Sequence, residues 1–106
     1  MPQITSSVAS NGLPVHRVAL DGTRATTVLV AFDAGARTER PDENGMAHFL
    51  EHLVFKGTPR HPNIPQELSQ HGADPNGTTW TDRTNYYETF PASDANLTWA
   101  LDLEAD

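Results

Sequence analysis

Hydrophobic and polar positions change period several times along this chain, and each change marks an element. Asn11-Gly12 closes a loose leader, residues 1–12. Leu13 to Leu20 then reads as a strand, and Ala25 to Ala34 as another, rich in Val, Thr and Phe with Val28, Val30 and Phe32 on one face. The opposite face of that second segment is also nearly apolar, which predicts a central strand covered on both sides. Asp21-Gly22 between them is a strong hairpin signal. Gly35 to Glu43 is polar and carries Pro41, hence a loop. From Gly45 to Thr58 the pattern turns helical: Met46, Phe49, Leu50 and Leu53 share one stripe, while His48, Glu51, His52 and Phe55 share the opposite one. Asn44 or Gly45 is placed to cap this helix, and Gly57 to end it.

The second half continues in shorter pieces. Asn63 is an N-cap for a helix from Ile64 to about His71, with Pro65 in the first turn, Gln66 completing a capping box and Gly72 after the last turn. Ala73 to Gly77 reads as a turn. Thr78 to Thr81 and Thr84 to Phe90 read as two β segments, the second closed by Pro91. Ser93 starts a third helix with Leu97, Ala100, Leu101 and Glu104 on one stripe and Trp99 and Leu103 beside it. Asp102, Glu104 and Asp106 place negative charge where the helix dipole disfavours it, and no Gly or Asn cap follows. The expectation is a chain cut inside a helix: a leader, then residues 13–106 as the N-terminal portion of a larger domain.

Two imidazoles and a carboxylate on one stripe of an apolar helix are costly unless paired or bound. The order His-x-x-Glu-His, residues 48–52, is the inverted zinc-protease motif. Residues i and i+4 lie one above the other, so His48 and His52 can hold one zinc ion at about 2.0–2.1 Å. Glu51 can lean over that ion without ligating it and take a proton from a water whose pKa the metal lowers to about 7. The plainer alternative is a helix whose histidines are satisfied by ordinary hydrogen bonds.

Composition narrows the choice. Fourteen acidic and seven basic residues give a net charge of −7, with Lys56 the only lysine, which argues against a nucleic-acid partner. Cysteine is absent, so any zinc site must use His and carboxylate. No apolar run is long enough to span a membrane. The polar start, Met1 to Asn11, lacks the features of a secretory signal, and the expectation is a cytoplasmic protein, although a mature secreted or periplasmic form would read the same.

Beyond the motif, the chain resembles the M16 metallopeptidases, the family of pitrilysin, insulysin and the mitochondrial processing peptidase. The likeness runs through Gly45 to Thr58, through Asn11-Gly12-Leu13 and Gly35-Ala36-Arg37-Thr38-Glu39 upstream, and through Gly72 to Tyr87 downstream. It implies an α+β fold, a mostly antiparallel sheet with helices packed on one face, here truncated. It implies zinc, with His48 and His52 as ligands and Glu51 as general base. It also implies Asn76 as a substrate-binding residue on an edge strand that holds an extended peptide by strand addition. Thr84, Tyr86 and Tyr87 match a family pattern too, but alternating aromatics are more often core than contact. His71 reads as a helix-dipole partner, His16 and His61 as surface residues. The family's third zinc ligand is a Glu on a later helix; Glu88 and Glu104 do not match its position. The implied function is a zinc-dependent endopeptidase acting on unfolded peptides, partnered by a second M16-type domain or homologous subunit, with these 106 residues alone inactive and poor at holding zinc. A non-catalytic scaffold or substrate-binding subunit and a small zinc-binding module without chemistry are the rival readings.

Overall fold

In the computed structural model, which describes residues 1–106, five strands and three helices follow one another. They are β1 (Gln3–Val8), β2 (Pro14–Ala19), β3 (Ala25–Phe32), α1 (Met46–Val54), α2 (Ile64–Gln70), β4 (Asp74–Thr79), β5 (Thr84–Pro91) and α3 (Asp94–Ala105). Two single 3₁₀ turns, Ala36–Thr38 and Pro41–Glu43, lead into α1. The strands form two antiparallel sheets, a β1-β2 hairpin and a three-stranded sheet in the order β3-β5-β4. The fold is therefore α+β and antiparallel, as expected.

Helices cover one face of the larger sheet. Register places Gly77 opposite Tyr86, Val30 opposite Tyr86 on the other side, and Val28 opposite Glu88. This is the face that Phe55 of the turn after α1 reaches, its ring 6.4 Å from that of Tyr86. Trp99 of α3 meets the same face, edge-on to Phe90 at 6.2 Å. Ile64, Leu68, Phe90 and Ala100 form the buried core.

Several local expectations are corrected. The leader is not loose: Gln3–Val8 is a strand hydrogen-bonded to β2, with Ile4 opposite Val18. The hairpin turn belongs to Asn11-Gly12 rather than Asp21-Gly22. Ala9 and Leu13 close it, Asn11 Oδ1 accepts from the Leu13 amide at 3.1 Å, and Gly12 takes φ 87°. Both dipeptides are good turn formers, and β2 folds back on β1 rather than forward on β3. Consequently β3 is an edge strand of its sheet, not a central one. Ala73 to Gly77 is not a turn; β4 begins at Asp74. Pro75 is admissible because β4 is an edge, where a missing N–H leaves no ladder bond unmade.

On α3 the inward stripe is one position away from the one read from the sequence. Trp99, Ala100 and Leu103 face the sheet, whereas Leu97 and Leu101 stay 39% and 53% exposed. His61 is not a surface residue. It is buried, with Nδ1 2.8 Å from Glu67 Oε2 and Nε2 3.1 Å from Asp102 Oδ2, so it joins the loop after α1 to α2 and α3. His71 ends α2, but its ring stacks on Trp99 at 3.9 Å and its Nδ1 lies 2.8 Å from Asn96 Oδ1. His16 is exposed, as expected.

Candidate active site

The site is built on α1. Gly45 at its N-terminus takes φ 89°, a left-handed turn that glycine adopts without strain, but it has no side chain to cap with. The capping oxygens come from Glu39 instead, six residues before Gly45. Its two carboxylate oxygens accept from the Gly45 and Ala47 amides at 2.7 and 2.8 Å. The Ala47 and Gly45 amides hold the Glu39 carboxyl below its ordinary range. The cap expected of Asn44 or Gly45 is thus supplied from a distance.

One turn on, His48 and His52 stand side by side. Their Nε2 atoms are 3.0 Å apart and their ring centroids 4.8 Å, both rings exposed. Two nitrogens each about 2.0–2.1 Å from a tetrahedral ion lie about 3.3 Å apart, so this donor pair fits zinc within a few tenths of an ångström. No other His, Cys, Asp or Glu joins them in a group of three.

Glu51 leans the other way, onto β4. Thr79 Oγ1 donates to its Oε2 at 3.1 Å. Its Oε1 and the ring of Phe55 press on Gly77, where a Cβ would sit 3.3 Å from the oxygen and 3.1 Å from the ring. Glycine here admits the helix to the strand. Tyr86, across from Gly77, has its hydroxyl pushed up, first by burial and then by the charges of Glu51 and Glu104. Asn76 lies on β4 as expected of an edge strand, paired to Tyr87; its Oδ1 accepts from the Gly77 amide at 2.9 Å, and it hydrogen-bonds to neither Glu51 nor the histidines. Its exposure leaves the side chain free to meet a ligand.

Two concavities flank the helix. A cleft of about 350 Å³ is lined by His48, Glu39, Gly45, Thr79, Trp80 and Thr81, among others. A larger apolar groove of about 530 Å³ runs between α1, α2, β5 and the end of α3, and Glu88 and Glu104 line it. Glu88 is 2% exposed, and burial, then Glu104 beside it, push its carboxyl up to about 9. Thr79 and Glu88 are residues that the sequence reading missed as partners. Period-two alternation through Thr84, Tyr86, Glu88 and Phe90 puts Glu88 on the inward face and was the signal available.

The family profile described as Insulinase (Peptidase family M16) matches residues 17–106. The chain belongs to peptidase family M16. A probable mitochondrial-processing peptidase subunit beta of Arabidopsis thaliana is 37% identical over 107 residues, 99% of this chain and 20% of that protein. The corresponding Caenorhabditis elegans subunit is 40% identical over 91 residues, 82% of this chain and 19% of that protein. Among solved structures, a protease from Helicobacter pylori superposes with a TM-score of 0.84 at 34% identity, covering 97% of this chain and 25% of that one. The chain spans about a fifth of the length of the curated M16 relatives it matches. These relatives overturn the cytoplasmic expectation: they are named mitochondrial-processing peptidases, the Arabidopsis one expressly mitochondrial. The polarity of Met1 to Asn11 carried no information about compartment.

Proposed function

We propose that these residues are the N-terminal portion, residues 13–106, of the catalytic domain of a zinc-dependent endopeptidase of the inverted His-x-x-Glu-His type. The observation that carries the reading is the arrangement of α1: two Nε2 atoms converging at 3.0 Å, with a carboxylate on the same stripe anchored to the neighbouring strand. His48 and His52 would hold the ion. When bound, zinc polarises the scissile carbonyl and makes water a usable nucleophile near neutral pH.

The remaining work belongs to the chain's own side chains. Glu51 takes the proton of the attacking water and passes it to the leaving amine. The open edge of β4 lies beside Glu51, so an extended peptide that adds to that edge brings its backbone along Thr79, Gly77 and Asn76. Strand addition selects unfolded peptides, because a folded chain has already paired its own backbone. Asn76 would meet such a peptide from the exposed side of the strand. The relatives are named as subunits, which favours a homologous subunit or a second M16-type domain as partner.

The test is Glu51→Gln in the whole protein that carries these residues. Zinc content by atomic absorption stays at the wild-type level, while cleavage of an unstructured fluorogenic peptide falls by about 10²–10⁴-fold. Near wild-type turnover in that variant would overturn the role of Glu51.

A further inference from the structure

We propose that Thr79 is a positioning residue for Glu51: its hydroxyl fixes one carboxylate oxygen and thereby assigns the reacting proton to the other. The inference rests on the peptidase reading above and deepens it. Thr79 Oγ1 donates to Glu51 Oε2 at 3.1 Å, across 28 residues of sequence. It is the one side-chain hydrogen bond between α1 and β4, and Oε1 has no donor from the protein. A carboxylate on a helix can rotate about its last torsion, which is broad and roughly two-fold. The Thr79 hydroxyl removes that freedom at one end, and the strand surface at Gly77 blocks the other side.

Thr79 also has the right address. It lines the cleft that His48 lines, whereas its neighbour Thr78 points to the opposite face and donates to Asn85 Oδ1 at 2.9 Å. Its backbone pairs with Thr84, so the hydroxyl is carried by the sheet and not by a loop. A group placed by the sheet is held to the geometry a proton transfer needs, since small misplacements of a catalytic group are costly. The Thr79 hydroxyl touches neither substrate nor ion in this scheme, whatever the backbone of β4 pairs with; it acts through Glu51 alone.

The experiment uses Thr79→Val, which keeps the shape and the strand preference but loses the hydroxyl, and Thr79→Ser, which keeps the hydroxyl. In the whole protein T79V lowers kcat by about tenfold to a hundredfold, the usual worth of a hydrogen bond to a charged group, with KM, zinc content and Tm unchanged. T79S restores most of kcat. In the E51Q background T79V has no further effect on kcat, because the base that Thr79 positions is already gone. As a readout without turnover, the Glu51 carboxyl carbon resonance of the 106-residue chain at pH 7 moves in T79V and stays in T79S. If E51Q is inactive but T79V keeps wild-type kcat, this proposal alone falls. If kcat drops only in step with zinc content or Tm, Thr79 is merely structural and the proposal is overturned. If E51Q itself retains wild-type turnover, the peptidase reading falls and this one with it.

Discussion

Asn76 illustrates how little of a residue's role is visible from its neighbours in sequence. Between Pro75 and Gly77 it has the look of a turn residue, yet it sits in an edge strand, exposed, with its side chain engaged only by the next amide. A side chain that supports nothing else is cheap to remove. Asn76→Ala is therefore expected to leave Tm within about a degree, since surface substitutions away from structural features change stability little. Peptide turnover by the whole protein should fall, with zinc content intact. A large drop in Tm would show Asn76 to be structural. His61 is the opposite case: nothing around it in the sequence signals burial, and only the folded chain brings Glu67 and Asp102 to its two ring nitrogens.

Among the elements, α1 depends on a cap it does not carry. The Glu39 carboxylate holds two of its orphan amides, and those bonds are at full strength only while the carboxyl is ionised. Its pKa is lowered on folding from the ordinary 4.5, so the unfolded chain takes up the proton first as pH falls. The stability it contributes is thus full above pH 4.5 and is lost as pH drops through the lower folded value. Glu39→Gln should melt below wild type at pH 7, and the gap in Tm should close as the pH is taken below 4.5. A gap that stays constant with pH would rule out the carboxylate as the cap. The three helices were legible because each rests on local chemistry: a His-Glu-His stripe, the Asn63 cap with Gln66, and the Ser93 cap that accepts from the Asn96 amide. Strand partners were not, because Asn11-Gly12 and Asp21-Gly22 offer equal turns and only long-range pairing chooses between them. That His48, Glu51 and His52 share one stripe of α1 could be read from spacing alone. Thr79 could not, since its contact with Glu51 spans two elements.

The molecule as a whole has a thin interior with a carboxyl group in it. Only eight of 106 residues are buried, so Glu88 is a substantial part of the core. Its carboxyl is pushed up to about 9 by burial and by Glu104. The folded chain holds this proton where the unfolded chain, near 4.5, has released it. The stability that Glu88 contributes is therefore fullest below pH 4.5 and declines as pH rises towards 9. Glu88→Gln, which cannot ionise, should flatten that decline: its urea midpoint should gain on wild type between pH 5 and pH 8.5. Parallel profiles for the two proteins would refute a buried, protonated Glu88.

The pairing of β3 with β5 also sets an order in time. Val30 must find Tyr86, with α1, α2 and β4 all strung between them, while the β1-β2 hairpin closes over five residues. Short hairpins form in about 1–10 μs, whereas non-local strand pairing is slow. In a chain leaving the ribosome, the imidazoles of α1 are made together, and β4 arrives only later. The growing polypeptide thus acquires its pair of nitrogen donors first and a fixed carboxylate second, so the anchoring of Glu51 is the last thing folding confers on this helix.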